Sequence, residues 1–169
     1  MSKNKKQSVL VIIKPEIIHK NILGNVLTKI SETNLEIIAI KLMTVSRALA
    51  EEHYRHIKGK PFFENTVRYM MGEYHQKKVV VIVYNGDNAI EKIREIAGAT
   101  NPEDAKPSSL RGAYGRITKD DVYENVIHAS SDKKEAEREI KLWFKPNEVS
   151  KKIYPTKSQS TTSKEDTWA

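Results

Sequence analysis

A chain of 169 residues, with no cysteine and a net charge of +7, suits one compact domain and excludes disulfides, thiol catalysis and thiolate metal sites. Residues 1–7 hold three lysines and residues 145–169 a net +2, leaving +2 for everything between, so the basicity belongs to solvated ends and argues against a nucleic-acid-binding face. No apolar run approaches the roughly 18 residues of a membrane span, and no signal-peptide core follows the first lysines, so a soluble, cytoplasmic protein is expected.

Residues 1–7 read as a flexible basic lead. Ser8 to Ile13 is a β-branched run with no polar interruption, suited to a central buried strand. Pro15 closes it, because proline has no N–H for the ladder, and leaves Lys14 at the sheet edge. Asn21 then caps a helix whose Ile22, Leu23, Val26, Leu27 and Ile30 share one face. Leu35 to Val45 is apolar on both alternating faces and is expected beside the first strand. Ser46 caps a helix carrying Ala50, Tyr54 and Ile57, and after Lys60-Pro61-Phe62-Phe63 comes a further helix, Asn65 to Met71. One of the two phenylalanines is free to stay exposed and stack on a flat ring.

Gly72 to Lys78 is a polar loop. Val79 to Tyr84 is a second buried strand, closed by the turn cluster Asn85-Gly86-Asp87-Asn88, which also caps a helix from Ala89 to Ala97. Thr100 to Arg116 has many turn residues and little apolar pattern, the mark of a long ordered loop, which inside a compact domain is usually functional. Within and beside it Arg94 and Arg111 offer planar forks for phosphate oxygens, and Thr100 offers a hydroxyl.

Val126 and Ile127 end a short apolar strand with His128 at its tip. Ser130, Ser131 and Asp132 supply cap chemistry for a helix whose Ala136, Ile140 and Trp143 face a core. Glu139 lies near the boundary of that face and is placed to look back toward the cap. An imidazole held by a carboxylate is a competent nucleophile near neutral pH. Glu148 to Ile153 forms one further turn, and residues 155–169, serine- and threonine-rich, are expected to be a disordered tail with Trp168 as the one docking candidate. The folded unit therefore spans residues 8–154.

Asn125-x-x-His128-Ala129-Ser130 with Glu139 beyond it resembles the active-site signature of nucleoside diphosphate kinases. The likeness runs from about Ser8 to Phe144, through Lys14-Pro15, the His53-Tyr54 and Pro61-Phe62-Phe63 elements, Thr100-Asn101-Pro102 and Leu110-Arg111-Gly112. It departs at Ile17 and Ser108, where the family commonly has glycine, in the longer polar loop 73–78, and in added residues between Arg111 and Asn125.

The element order together with the resemblance implies an α+β fold: ferredoxin-like βαββαβ, a four-stranded, mostly antiparallel sheet covered by helices. The resemblance further implies transfer of a terminal phosphoryl group from a nucleoside triphosphate to a nucleoside diphosphate through a phosphohistidine. His128 would be the nucleophile, Glu139 and Ser130 would fix its ring, and Tyr54 would support the site. Phe62 would stack on the base, with Phe63 left to the core. Lys14, a phosphate-side cation, and Asn125 would lie near the sugar, and Arg94, Thr100 and Arg111 at the phosphates. Mg2+ would arrive on the nucleotide, with no metal held by the protein alone. A homo-oligomer, hexamer or tetramer, is implied. The alternative is a non-catalytic nucleotide-binding or regulatory relative whose inserted loop remodels the site.

Overall fold

In the computed structural model, which describes residues 6–158, one sheet carries the architecture. Its strands are β1 (Lys6–Ile13), β2 (Glu36–Met43), β3 (Val79–Asp87) and β6 (Ile127–Ala129), in the order β2-β3-β1-β6. All three ladders are antiparallel, so β1 and β2 run parallel to each other with β3 filling the slot between them. This is the ferredoxin-like arrangement.

The helices are α1 (Pro15–His19), α2 (Leu23–Ser31), α3 (Arg47–His53), α4 (Phe63–Met70), α5 (Ala89–Ala97), α6 (Leu110–Tyr114) and α7 (Lys133–Trp143). They cover both faces of the sheet, because β1 and β3 are apolar on both sides. Val9, Val11 and Ile13 pack with Val26, Ile30 and Ile93 on one face, while Leu10 and Ile12 pack with Val67, Ile140 and Trp143 on the other. Among the described residues no helix is long and apolar enough to cross a membrane.

Several local expectations change. β1 starts at Lys6, so Lys6 and Gln7, expected in a flexible lead, pair with Asp87 and Gly86. Residues 1–5 and 159–169, with Trp168, lie outside the described residues. β2 pairs with β3 and not with β1, because a parallel partner reached through a helical crossover leaves room for an antiparallel strand between. As an edge strand, β2 leaves Ile37, Ile40 and Leu42 about half exposed.

Asn21 is not a cap: it takes φ 56 between α1 and α2, and Ile22 occupies the cap position. Asn85 to Asp87, read as a turn, extends β3. Within residues 100–116, read as a loop, lies α6, whose cap Ser109 accepts from the Gly112 amide at 3.2 Å. At Gly112 a Cβ would meet the Lys106 carbonyl at 2.1 Å, so only glycine lets that loop close on the helix. The insertion before Asn125 forms a small hairpin of β4 (Arg116–Ile117) and β5 (Tyr123–Glu124).

Candidate active site

His128 lies within β6 opposite Ile12, one residue inside the strand and not at its tip. The residue expected to precede it as regular strand, Val126, has φ 69. The Ile127 amide donates back to the Asn125 carbonyl at 2.7 Å, closing a γ-turn around it, a strained conformation for a β-branched residue. Its neighbours hold this turn by both backbone polar groups of Val126 and by the carbonyls on either side. The Val126 N–H donates to Glu16 Oε1 at 2.9 Å, and its carbonyl accepts from the Lys14 amide at 3.0 Å. The Arg111 side chain donates to the carbonyls of Asn125 and Ile127 at 3.2 and 2.9 Å. Glu16 of α1 is wholly buried, a role that nothing in its sequence position announces.

The imidazole is 17% exposed, and its Nε2 lies 2.9 Å from Glu139 Oε1, on α7. The other carboxylate oxygen accepts from Ser130 Oγ at 2.6 Å. Ser130 Oγ in turn accepts from the Leu10 amide at 3.1 Å, which ties the serine to β1. Asp132 takes the cap itself, accepting from the Glu135 amide at 2.9 Å, so Ser130 is free for the carboxylate. Burial alone would raise the Glu139 pKa, but His128, Ser130 and Arg138 outweigh it and hold the carboxyl below its ordinary value. The side chain is therefore an anion at neutral pH. With Nε2 held in this way, Nδ1 is the ring nitrogen left without a hydrogen-bond partner among the described residues.

Cations gather around this centre. Lys14, only 5% exposed, sits 4.7 Å from the Tyr69 ring centroid. Burial pushes its pKa down to about 8, with Glu16 opposing and Arg111 adding to the fall. Arg111 is half-buried, and its Nη1 also donates to the Gly98 carbonyl at 2.8 Å. Burial and nearby Arg94 push Arg111 down to about 10, so it stays charged at neutral pH. Asn125 Nδ2 donates to the Thr100 carbonyl at 3.1 Å, bringing the loop after α5 against the turn, while its Oδ1 is buried with no partner. Arg94 and Thr100 are exposed at the same edge.

Tyr54, at the end of α3, is buried, and burial followed by the Glu139 charge pushes its hydroxyl well above the usual phenol range. Its ring stands edge-on to His53, and His53 edge-on to His128. His53 is the second residue the sequence reading missed, although the His53-Tyr54 pair was in view. Phe62 lies outside this bonded cluster, 52% exposed at the start of α4, while Phe63 packs into the core. The expected division between the two phenylalanines matches the burial.

One ring nitrogen each of His53 and His128 and one Glu139 oxygen lie within 4.8 Å of one another. The trio is poorly suited to a metal. The Trp143 Nε1–H donates to His53 Nδ1 at 3.1 Å, which puts the proton of the neutral ring on Nε2 and removes the lone pair a metal would need.

Fold and cluster together define a class: an α+β domain of ferredoxin-like topology that presents one carboxylate-oriented histidine among cations suited to phosphate. A family model described as nucleoside diphosphate kinase matches residues 7–149. The nucleoside diphosphate kinase of Pyrococcus furiosus is 44% identical over 146 residues, covering 86% of this chain and 88% of that protein. The solved nucleoside diphosphate kinase of Aquifex aeolicus superposes with a TM-score of 0.77 at 32% identity, covering 86% of this chain and 99% of that one. A Borrelia burgdorferi nucleoside diphosphate kinase, solved as a transition-state mimic with vanadate and ADP, gives 0.76 at 29% identity over 89% and 93%. The chain belongs to the nucleoside diphosphate kinase family.

Proposed function

We propose that the chain transfers the terminal phosphoryl group of a nucleoside triphosphate to a nucleoside diphosphate in two half-reactions, with His128 as the carrier. The observation that carries this reading is the Ser130–Glu139–His128 relay, which engages Nε2 and, among the described residues, leaves Nδ1 without a hydrogen-bond partner. In the first half-reaction the Nδ1 lone pair attacks the terminal phosphorus in line, an N–P bond forms, and the bond to the bridging oxygen breaks. The nucleoside diphosphate leaves with that electron pair. Glu139 stabilises the positive charge that develops on the ring. In the second half-reaction the terminal oxygen of another nucleoside diphosphate attacks the same phosphorus and frees Nδ1.

Lys14, Arg94, Arg111 and Thr100 offer cations and a hydroxyl to the phosphates. Asn125, with its unpartnered Oδ1, fits a sugar hydroxyl donor. Exposed Phe62 fits stacking on the base, which tolerates every base. Glu139 spends both oxygens on His128 and Ser130, and Glu16 spends Oε1 on the Val126 amide while its Oε2 is buried, so the residues present fit Mg2+ held by the nucleotide phosphates. When bound, that ion neutralises phosphate charge. His128 stays partly open, 17% exposed, with the inserted hairpin in place, which favours an active enzyme over a blocked relative.

The half-exposed apolar row on the β2 edge is a surface that a monomer rarely leaves bare, and we take it as one face of a homo-oligomer. An enzyme of nucleoside triphosphates works where these are abundant, and we place it in the cytoplasm. The test is His128→Gln, assayed with terminal-phosphate-labelled ATP. The variant should stay folded, take no label and phosphorylate no nucleoside diphosphate. Wild-type labelling of the variant moves the carrier to another residue.

A further inference from the structure

We propose that His53 is a positioning residue for the nucleophile: Trp143 locks the His53 ring, and the His53 ring locks the ring of His128. The inference rests on His128 being the phosphoryl carrier. It begins from what Glu139 cannot do alone. One hydrogen bond at Nε2 fixes the position of that atom but leaves the imidazole free to tilt about it, and tilting swings Nδ1 out of line with the incoming phosphorus. A contact on the ring itself is needed to hold its plane.

His53 supplies that contact. Its ring centroid lies 4.4 Å from that of His128 at an interplanar angle of 81°, a close perpendicular packing that resists rotation of either ring. His53 is held from behind by Trp143, whose Nε1–H donates to Nδ1 at 3.1 Å and whose ring stands perpendicular at 5.5 Å. Trp143 is itself buried in the core under β1. The line Trp143, His53, His128 thus runs from the rigid sheet to the nucleophile.

The chemistry of His53 is unexpected for a residue that merely fills space. It is 0% exposed, yet a histidine carries two polar atoms into that position. With Nδ1 accepting from Trp143, the neutral ring carries its proton on Nε2, and that buried Nε2 has no partner. An unpartnered buried donor is costly, and here it adjoins the reacting ring. Burial, followed by the positive charge that develops on His128 during attack and by Arg138 and Lys14, keeps the ring neutral. A neutral wedge is what the site requires, because a second cation against His128 would oppose the positive charge that develops there during attack. A phenyl ring would fill the space but accept nothing from Trp143, and an aliphatic side chain would supply neither the flat ring nor the acceptor.

The experiment compares His53→Asn, which keeps an acceptor near the Nδ1 position but loses the ring edge, with His53→Phe, Trp143→Phe and the double variant His53→Asn/Trp143→Phe. Each is assayed in the full-length protein by rapid-quench phosphoenzyme formation from labelled ATP, with nucleotide affinity measured separately. The single variants should slow phosphoenzyme formation tenfold or more while nucleotide affinity stays within about twofold. The double variant should be no slower than the worse single one, because both residues act along one line. Rates within twofold of wild type, an equal loss of affinity and rate, or fully additive losses overturn the proposal. Should a variant fail to fold, nitrogen-15 spectra of the wild-type protein decide: a proton on His53 Nε2 supports the proposal, and a proton on Nδ1 overturns it. If the wild-type protein itself forms no phosphoenzyme, the fault lies with the assignment of His128 and not with His53.

Discussion

Removing the charge of Glu139 while keeping its shape tests how much of the chemistry depends on electrostatics at His128 Nε2. In the structure that nitrogen lies 2.9 Å from Glu139 Oε1, and the second oxygen is taken by Ser130 at 2.6 Å. The side chain is only 3% exposed, so solvent screens the pair little. A charge-assisted hydrogen bond contributes about 1.5–3 kcal/mol and a neutral one about 0.5–1.5. Glu139→Gln keeps an oxygen for Nε2–H, and Ser130 can turn to accept from the amide. The loss is then about 1–1.5 kcal/mol of transition-state stabilisation, or roughly tenfold in rate. Glu139→Ala removes both acceptors, leaving His128 Nε2 without a partner and the Ser130 hydroxyl proton without its carboxylate, for about 3–4 kcal/mol and a fall of a few hundredfold. Glu139 is not placed at the nucleotide, so KM should stay near its wild-type value in both. The assay is single-turnover phosphoenzyme formation at saturating labelled ATP. An alanine variant that is folded and forms phosphoenzyme at the wild-type rate would refute the relay.

Three further outcomes are expected. The Lys14 pKa, pushed down to about 8 by burial, means that the free enzyme loses this cation as pH rises through that value, so nucleotide affinity should fall several-fold across it, and Lys14→Met should abolish the step. The folded pKa lies below the ordinary 10.5, so the unfolded chain binds more protons between the two values. Stability should therefore rise with pH from about 8 to about 10.5, and at neutral pH Lys14→Met should gain about 3 kcal/mol in urea unfolding; a destabilised variant contradicts the assignment of a desolvated lysine. Finally, Glu124 is a buried carboxylate that accepts from Arg116 at 2.6 Å and bonds His75 Nε2 at 2.8 Å, joining both family-divergent loops beside Asn125. Glu124→Ala should raise nucleotide KM a few-fold with less change in kcat, and a large fall in kcat at unchanged KM would make the hairpin part of the support for His128.

What was legible in the sequence follows physical lines. β1 and β3 are long β-branched runs with no polar interruption, and burial on both faces leaves no other reading. The caps Ser46 and Asp132 announce themselves by side-chain chemistry that acts within a few residues. α1 and α6 do not, since five residues are too few to show a helical period, and the two-residue strands β4 and β5 show no alternation. The place of β2 was misread because apolar composition suggests that a strand is covered without saying by what, and the apolar Ile37, Ile40 and Leu42 of this edge strand read like those of an interior one. At the site, His128, Ser130 and Glu139 were readable because one strand–cap–helix segment carries all three. His53 was not, because a lone histidine on an amphipathic helix has the same appearance whether it fills space or touches a nucleophile from a distant segment. Val126 is the extreme case: no local preference puts valine at φ 69, so tertiary contacts must impose it.

Those contacts explain why the site places its cations where it does. A left-handed β-branched residue costs on the order of 1–3 kcal/mol and persists only if its surroundings hold it. Here Glu16 and the Lys14 backbone hold the Val126 peptide groups, while Arg111 spends Nε, Nη1 and Nη2 on the carbonyls of Asn125, Gly98 and Ile127. A guanidinium has five N–H groups, so two remain for a ligand after those three bonds. Arg111 therefore has two tasks on one planar group: it fixes the backbone two residues before His128, and in the proposed reaction it would present charge to the phosphates. Because the guanidinium is planar, a phosphate that pulls on the two free N–H groups acts on the same rigid fork that holds the turn. Ground-state binding and the placement of Nδ1 are thereby coupled through a single side chain. Loss of Arg111 must then appear in KM and kcat together, unlike loss of Glu139, whose bonds go to the His128 ring and to Ser130.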